Sequence, residues 1–392
     1  MRLISNLMRF RRKPHIVVIG SAHMDVLGDF RKSEIKRIDR EGEVFCSIGG
    51  TGFNIAVNLA NQAGVSVSLY THLRTSSPIT TMVIERLKQE GVKTALVFTD
   101  PTIDVDSGFI AHRADGELIS AVSSMPLEKV TLRKKTLSVA ISKAALVLAE
   151  CNLSDTQLAQ IIKMCATYDK KLIIGGVSES KCLRLKVAVI NGTEPTTIFA
   201  FVINIKEAKA LFGGPFNSSC HDEVINICAM VKSQTVVVTD GVNGWTVCHA
   251  DGRAEKFLAP NVPGVSSTSG AGDALTAAIA HEVATHELTD WAQTKPKIHH
   301  FVSCVLKKKV ASGADLSSIE TLGAAYNRGL GFKVEHPLVK AIAIIVGSIT
   351  LISGIVQAAV SLETSTKVWK YVAVPYCLVV PTSDVCSRAK VP

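Results

Sequence analysis

Two glycines and one carboxylate stand at the start of a predicted apolar helix, in the stretch SSTSGAGDALTAA at positions 266–278. If Gly270 and Gly272 let the backbone approach closely, the first amides of that helix form a positive cradle for phosphate or for charge on a transferring phosphoryl group. Asp273, set in the cradle, would take a proton from an attacking hydroxyl. Alone, the pattern is equally typical of a capped, tightly packed helix start, so the chemistry depends on partners elsewhere in the chain.

A second glycine cluster lies in SIGGTGFNIAVNLANQAG, positions 47–64. Gly49, Gly50 and Gly52 permit a tight turn after an extended segment, and Asn54 at the mouth of the following helix could hydrogen-bond a sugar hydroxyl. An ordinary loop with Asn54 as the N-cap is the alternative. A Walker A motif is excluded, because no Gly-Lys-Ser/Thr follows.

Three further groups of polar residues follow predicted strands. Asp25 comes just after the first strand, where an α/β sheet places ligand groups, although a turn carboxylate fits too. Asn204 and Glu207 start a helix, where they could hold the water shell of Mg²⁺ near nucleotide phosphates or form a capping box. The third group follows a later strand and comprises Thr239, Gly241 and Gly244. These residues could face a nucleotide or form a simple hairpin.

The elements that would position these residues alternate short apolar runs with helix-length segments. Runs that are apolar on both faces are typical of a parallel sheet covered by helices, so the pattern predicts a doubly wound, mostly parallel α/β sheet. Positions 27–47 and 107–122 instead predict antiparallel strands, the second pair turning at Asp115-Gly116, and together a small antiparallel β lid. The apolar runs are at 15–20, 145–150, 171–176, 199–204 and 235–241.

Composition limits the class of protein. The 392 residues are 47% hydrophobic, enough for a sizeable core, and the formal net charge of +9 is spread along the chain. Basic residues do not interleave with aromatic ones, so we do not expect nucleic-acid binding. The ten cysteines stand singly without a Cys-x-x-Cys pair, which favours a reducing compartment and a cytoplasmic location.

The two ends of the chain differ from the middle. Positions 1–13 are a basic N-terminal tail that lacks the features of a secretory signal. Positions 329–392 form a C-terminal extension, in which the uncharged run 341–362 is long enough for a transmembrane helix. A buried helix of a folded domain is the alternative, because the run also contains glycines, hydroxyl residues and a glutamine.

The order of these motifs resembles the ribokinase-like (PfkB) family of carbohydrate and nucleoside kinases. The resemblance covers about 14–326 and depends on GGTGFNIAVNLA near the start paired with SGAGDALTAA near the end. Within the family, the stretches at 107–125, 146–162 and 177–182 are most similar to those of pseudouridine kinases. We therefore expect a kinase domain at 14–328 that phosphorylates a small nucleoside or sugar with ATP.

The resemblance also implies roles for particular residues. Asp273 would be the general base, with the amides of Gly270, Ala271 and Gly272 as its anion hole. The ribose would lie against Asp25, Gly49, Gly50 and Asn54. The ATP site would be formed by Asn204, Glu207, Thr239, Gly241 and Gly244, with Glu207 holding Mg²⁺ through water. The reaction would transfer the γ-phosphate to the 5'-hydroxyl of pseudouridine, and a homodimer paired through the lids is expected by analogy.

Several positions depart from the family pattern. Phe53 stands where an arginine is common, His23 replaces an asparagine, and Gly175-Gly176 replaces an Asp-Pro pair; LRTSSPI at 73–79 lacks the usual glycine and acid. These changes leave two alternatives open: a kinase for another nucleoside or sugar, and a membrane-tethered protein that has lost turnover. Three residues with reactive side chains are expected to serve packing or the surface, namely His23, His281 and Cys182.

Overall fold

The computed structural model describes residues 13–307, except 37–39, 115–116, 192–197, 266–267, 287 and 289. Within this part of the chain, two sheets and nine α-helices are found. The larger sheet contains β1 His15–Ile19, β4 Ser66–Arg74, β5 Val97–Asp100, β8 Leu146–Glu150, β9 Leu172–Gly175, β10 Ile198–Asn204, β11 Ser233–Thr239, β12 Trp245–His249 and β13 Ala254–Phe257. The helices are α1 Thr51–Ala60, α2 Pro78–Gln89, α3 Lys134–Lys143, α4 Asp155–Thr167, α5 Glu179–Asn191, α6 Ile205–Phe212, α7 His221–Met230, α8 Ala271–His286 and α9 Trp291–Leu306.

The larger sheet is doubly wound and mostly parallel, as predicted. Its strand order is β13-β12-β11-β10-β9-β8-β1-β4-β5. The strands from β11 to β5 pair in parallel, and only β12 and β13 run antiparallel at one edge. Strands β8 and β9 are buried along their whole length, because helices cover both faces of the sheet. The carboxyl ends of the parallel strands therefore meet along one edge.

Serine side chains cap the starts of two helices. Helix α4 begins after Ser154, whose hydroxyl accepts a hydrogen bond from the Gln157 amide at 3.2 Å, with the reciprocal bond completing a capping box. Helix α2 begins after Ser77, which caps the Ile79 amide at 3.1 Å. In the segment 73–79, β4 therefore passes directly into a capped helix.

A smaller four-stranded sheet forms the lid. Its strands are β2 His23–Phe30, β3 Gly42–Gly49, β6 Gly108–Ala114 and β7 Glu117–Ser124, in the order β3-β2-β6-β7. The two outer pairs are antiparallel, as predicted, but the central pair of β2 and β6 is parallel. The predicted turn at Asp115-Gly116 lies outside the described residues.

The C-terminal extension also lies outside the described residues. Every described residue belongs to one compact unit of the chain. Within that part of the chain, no helix combines the length and apolar character that crossing a bilayer requires. The run 341–362 and the boundary at 328/329 remain predictions.

Candidate active site

The Gly-Ala-Gly-Asp stretch occupies the start of helix α8, as the sequence predicts. Gly270 has a φ of +79°, a conformation that favours glycine, and its carbonyl accepts the Ala274 amide at 2.9 Å. The Ala271 amide donates to the Thr268 carbonyl at 3.3 Å and is therefore already used within the turn. The anion-hole role remains a prediction that falls mainly on the amides of Gly270 and Gly272.

The first glycine cluster is a tight connection between β3 and α1. Gly50, with a φ of +106°, is the N-cap, so Asn54 sits one turn inside the helix and does not cap it. A Cβ on Gly49 would lie 2.1 Å from Asp25 Oδ2, and one on Gly52 would lie 2.7 Å from the Gly20 carbonyl carbon. These glycines are thus required by close approach of the carboxylate and of a neighbouring backbone.

Asn54 and Asp273 are brought into direct contact. The Asn54 Nδ2 atom donates a 2.7 Å hydrogen bond to Asp273 Oδ2. Because the amide nitrogen is the donor, Oδ1 of Asn54 is left to accept, and it has no hydrogen-bond partner among the described residues. One predicted substrate ligand therefore holds the predicted base and still offers an acceptor to a ligand.

The pKa of the Asp273 carboxyl group is raised toward neutral pH. Burial of the carboxylate raises its pKa to about 7, and the nearby charges of Glu150, Asp25 and Glu207 act in the same direction. The hydrogen bond from Asn54 opposes this rise because it stabilises the charged form. A carboxylate with a pKa near 7 is suited to accept a proton from a hydroxyl at physiological pH.

Asp25 lies in β2, the first strand of the lid, shortly after the carboxyl end of β1. Its Oδ1 atom is 2.9 Å from His23 Nε2, and its Oδ2 atom faces the space left by Gly49. His23 therefore contacts the Asp25 carboxylate directly. The replacement of asparagine by His23 changes the partner of a predicted substrate ligand.

Phe53 is the other residue in this region that departs from the family pattern, and its side chain lies in the core. Its side chain is fully buried, and its amide donates to the Ser21 carbonyl at 2.9 Å. Phe53 therefore contributes to the core beneath the loop.

A buried network beneath the site was not singled out from the sequence. Glu150, at the end of β8, accepts the amides of Ser21 at 2.7 Å and Asn152 at 2.6 Å, and burial raises its pKa. The Asn152 side chain donates to Ser21 Oγ at 2.9 Å and accepts from Lys181 Nζ at 2.5 Å. Glu150 ends a strand and Asn152 follows it, and this position at a strand end was the available signal.

The predicted Mg²⁺ ligands form a capping box. Asn204 Oδ1 accepts the amides of Lys206 and Glu207 at 2.9 Å each, and Glu207 Oε2 accepts the Asn204 amide at 2.9 Å. Glu207 is buried, which raises its pKa. The structural role predicted as the alternative is therefore present, and a role toward Mg²⁺ is compatible with it.

Thr239, one of the residues predicted for the ATP site, lies beside this box. Thr239 is in register with Asn204 on the neighbouring parallel strand, so both stand at the carboxyl edge of the sheet. Gly241 opens a short 3₁₀ turn with a φ of +52°, and Gly244 has a φ of +95°. A Cβ on Gly244 would lie 2.0 Å from the Phe257 carbonyl oxygen, which explains the glycine.

The Gly175-Gly176 pair ends β9 next to both halves of the site. A Cβ on Gly176 would lie 2.5 Å from Glu207 Oε2, so the Glu207 carboxylate fills the place of a side chain there. A Cβ on Gly175 would meet only ordinary contacts, the nearest at 3.7 Å to Ile55 Cδ1. Gly176 is required by the capping box, whereas Gly175 is not required by its surroundings.

Two other reactive side chains have structural roles. His281 bonds to the Ala63 carbonyl at 2.9 Å, and Cys182 is a buried thiol whose pKa is raised to about 12 by burial. Among the residues that the structure describes, no group of three or more His, Cys, Asp or Glu side chains is arranged to hold a metal ion.

The fold and the paired motifs define a small-molecule kinase, and comparison with known proteins agrees. The family model described as "pfkB family carbohydrate kinase" matches residues 13–293, and the chain belongs to this family. It is therefore a phosphotransferase with an alcohol acceptor, and family membership implies ATP as the phosphoryl donor.

Particular relatives give a finer comparison. The chain is 26% identical over 279 residues to a pseudouridine kinase of Escherichia coli (strain K12), an alignment that covers 69% of this chain and 84% of the relative. A ribokinase from Giardia lamblia superposes with a TM-score of 0.64 at 16% identity, covering 77% of this chain and 96% of that one. Arabidopsis thaliana ribokinase complexed with ribose and ATP has a TM-score of 0.60 at 18% identity, covering 82% and 99%. These two structures show the shared fold.

Proposed function

We propose that the protein transfers the γ-phosphate of ATP to the 5'-hydroxyl of pseudouridine, with Asp273 as the general base. The observation that carries this proposal is the 2.7 Å contact between Asn54 and Asp273, at the meeting point of the two family motifs. The near-neutral pKa of Asp273 supports the role, since a base must be ionised and still bind a proton. The similarity to a pseudouridine kinase supports the choice of acceptor.

The acceptor would lie between the lid and the start of α1. Asp25 presents a carboxylate beside Gly49, and Asn54 presents an unpartnered Oδ1 atom, so both accept hydrogen bonds from sugar hydroxyls. Gly50 keeps this loop narrow because any side chain would meet the Ser21 carbonyl oxygen at 2.7 Å. The acceptor hydroxyl would thereby be held within reach of Asp273.

The nucleotide would lie along the carboxyl edge formed by β10 and β11. Thr239, Gly241 and Gly244 would line its site, and the amides at the start of α8 would face the transferring group. Kinases commonly bind Mg²⁺ through one or two carboxylates together with the substrate phosphates, and Glu207 would supply such a carboxylate through water. Mg²⁺ would neutralise phosphate charge, while the protein positions the reacting groups.

A kinase for another nucleoside or for a sugar is the second candidate. The contact between His23 and Asp25 favours it, because the family asparagine is absent from the sugar side of the site. ATP consumption by the full-length protein with Mg²⁺ should be measured against pseudouridine, uridine, cytidine, adenosine and ribose. Turnover confined to pseudouridine supports the proposal, and turnover with a different acceptor supports the second candidate.

Loss of turnover in a membrane-tethered protein is tested by the same experiment. The capping box holds Glu207 against Gly176, which supports retention of the proposed ATP site despite the missing Asp-Pro pair. A folded protein that consumes no ATP with any of the five acceptors would overturn the kinase proposal. Cytoplasmic location, a tether through 341–362 and a homodimer are separate proposals, tested by fractionation and by mass in solution.

A further inference from the structure

The edge of the larger sheet opposite the candidate active site carries a row of lysines. Parallel strands share one direction, so the loops that lead into them lie along a single edge, which we call the amino edge. In the described part of the chain, six lysines stand in or next to these loops, namely Lys13, Lys93, Lys143, Lys170, Lys171 and Lys232. They precede strands that extend from β11 to β5 in the sheet, so at about 4.8 Å per strand the row is roughly 30 Å long.

These lysines lack the carboxylate partners that would neutralise them. The ion pairs between described residues use other cations, and none of the six lysines takes part in one. The carboxylates described in the same loops are Glu90 and Asp169, and Glu90 is already paired with Arg86 at 2.8 Å. Asp169 alone is left among them to oppose the six positive charges, so the amino edge is strongly cationic.

The N-terminal tail joins the sheet at this same edge. Strand β1 begins at His15, two residues after Lys13, so positions 1–12 are connected to the chain there. These positions contain four arginines and no acidic residue, together with apolar residues such as Leu3 and Phe10. A basic segment that also carries apolar side chains is typical of attachment to the surface of an anionic membrane.

A groove of about 540 Å³ lies beside the row, between helix α3 and the first part of β1 and β4. Leu96 and Val139 contribute apolar surface to it, and Lys135 and Lys143 contribute positive charge. The phosphate of a lipid headgroup needs cations, and the carbon atoms next to it need apolar surface. The groove therefore offers both at the amino edge.

The candidate active site has the opposite charge and lies at the other edge of the sheet. Its carboxylates lie at or after the carboxyl ends of strands or at the start of α8, and comprise Asp25, Glu150, Glu207 and Asp273. An anionic surface attracts the lysines and repels these carboxylates, so the charge distribution orients the molecule. A surface bound at the amino edge leaves the site open to substrate.

We propose that the amino edge and positions 1–12 together bind a bilayer that contains anionic lipids, with the candidate active site facing away from it. Nucleic acid is a less suitable partner, because the basic residues do not interleave with aromatic ones that could stack on bases. The binding does not depend on kinase activity, and it is separate from a tether through 341–362.

Co-sedimentation of the full-length protein with vesicles tests the proposal. Binding to phosphatidylcholine vesicles that contain about 30% phosphatidylserine should be at least tenfold tighter than binding to phosphatidylcholine alone. It should be lost between about 0.1 M and about 1 M salt, because the Debye length falls from about 10 Å to about 3 Å. Equal binding to both vesicles, or binding that persists at high salt, would overturn the proposal and point to the apolar run 341–362.

A charge variant tests which surface binds. The variant combines three substitutions before β8, β9 and β11, namely Lys143→Gln, Lys170→Gln and Lys232→Gln. It should bind the anionic vesicles at least tenfold more weakly than the wild type. The matched control removes the same net charge from exposed lysines elsewhere, and combines Lys129→Gln, Lys209→Gln and Lys256→Gln. Binding by the control should stay within about twofold of the wild type.

The two triple variants decide between this edge and net charge alone. Equal weakening of vesicle binding in both, with thermal unfolding unchanged, would overturn the assignment to the amino edge. Absence of wild-type binding to the anionic vesicles would overturn the proposal itself. Tighter binding of the wild type to single-stranded polyuridylic acid than to the vesicles, lost in the edge variant, would overturn it in favour of nucleic acid.

Discussion

Asn54 donates a 2.7 Å hydrogen bond to Asp273 across 219 positions of sequence. The contact joins the first turns of α1 and α8, which pack against each other. The proposed base on α8 and the proposed acceptor-binding loop before α1 are thereby held next to each other. Since the Asn54 bond also stabilises the charged form of Asp273, it both positions this carboxylate and lowers its pKa.

Removal of this bond should change the pH dependence of the reaction. Without the Asn54 amide, the charged carboxylate loses a donor, so the pKa of Asp273 should rise further above about 7. For Asn54→Ala, the acid limb of kcat/KM should therefore move to higher pH by about one unit, with activity partly regained at pH 9. The measurement is a pH profile from 5.5 to 9.5.

Asn58→Ala is the control for this profile. Asn58 lies one turn further along α1 and is also buried, and its Nδ2 atom has no hydrogen-bond partner in the part of the chain that the structure describes. Its removal should leave the acid limb in place. An acid limb that is the same in Asn54→Ala and in the wild type would show that the bond does not influence the base.

Asp273 should make the folded protein less stable as pH rises. Its folded pKa of about 7 lies above its ordinary value of 3.8, so its contribution is fully present below pH 3.8 and is lost as pH rises through 7. Asp273→Asn has no such loss. Its stability relative to the wild type should therefore increase between pH 5 and pH 8, by about 2 kcal/mol.

Chemical denaturation of both proteins at the two pH values measures this difference. Asp104→Asn removes an exposed carboxylate and serves as the comparison. A gap between Asp273→Asn and the wild type that stays constant from pH 5 to pH 8 would contradict the assigned pKa.

The two glycines after β9 should differ in their tolerance of a methyl group. In Gly176→Ala, the new Cβ would lie 2.5 Å from Glu207 Oε2 and 2.8 Å from Ile203 Cγ2, an overlap that should cost about 1–3 kcal/mol of stability. Gly175→Ala meets no contact shorter than 3.7 Å and should change stability by less than about 1 kcal/mol. Thermal unfolding of the pair is the test, and equal losses would contradict the described packing.

The sheet and the glycine loops could be predicted from the sequence because both depend on residue types that are close together in the chain. Strands such as β8 and β9 are apolar on both faces, and that pattern indicates a covered parallel sheet without any knowledge of neighbours. Gly50 and Gly270 adopt positive φ angles, a conformation that favours glycine, so the glycines themselves indicate the turns. Ser154 likewise marks a helix start through its own side chain.

The remaining features arise from contacts between distant segments. The bond from the Ser21 amide to Glu150 spans 129 positions, and nothing local indicates it. The bond between Asn54 and Asp273 spans 219 positions and likewise has no local signal. The parallel pairing of β2 with β6 was missed for the same reason, since each hairpin is local but their junction is not.

The most direct test of the central claim is phosphoryl transfer from ATP to pseudouridine by the full-length wild type and by Asp273→Asn, followed by ³¹P NMR. The account predicts a 5'-phosphate product with the wild type and a rate at least a hundredfold lower with Asp273→Asn, in a variant that still unfolds cooperatively. A rate for Asp273→Asn within tenfold of the wild type, or no phosphorylated product from a folded wild type, would contradict it.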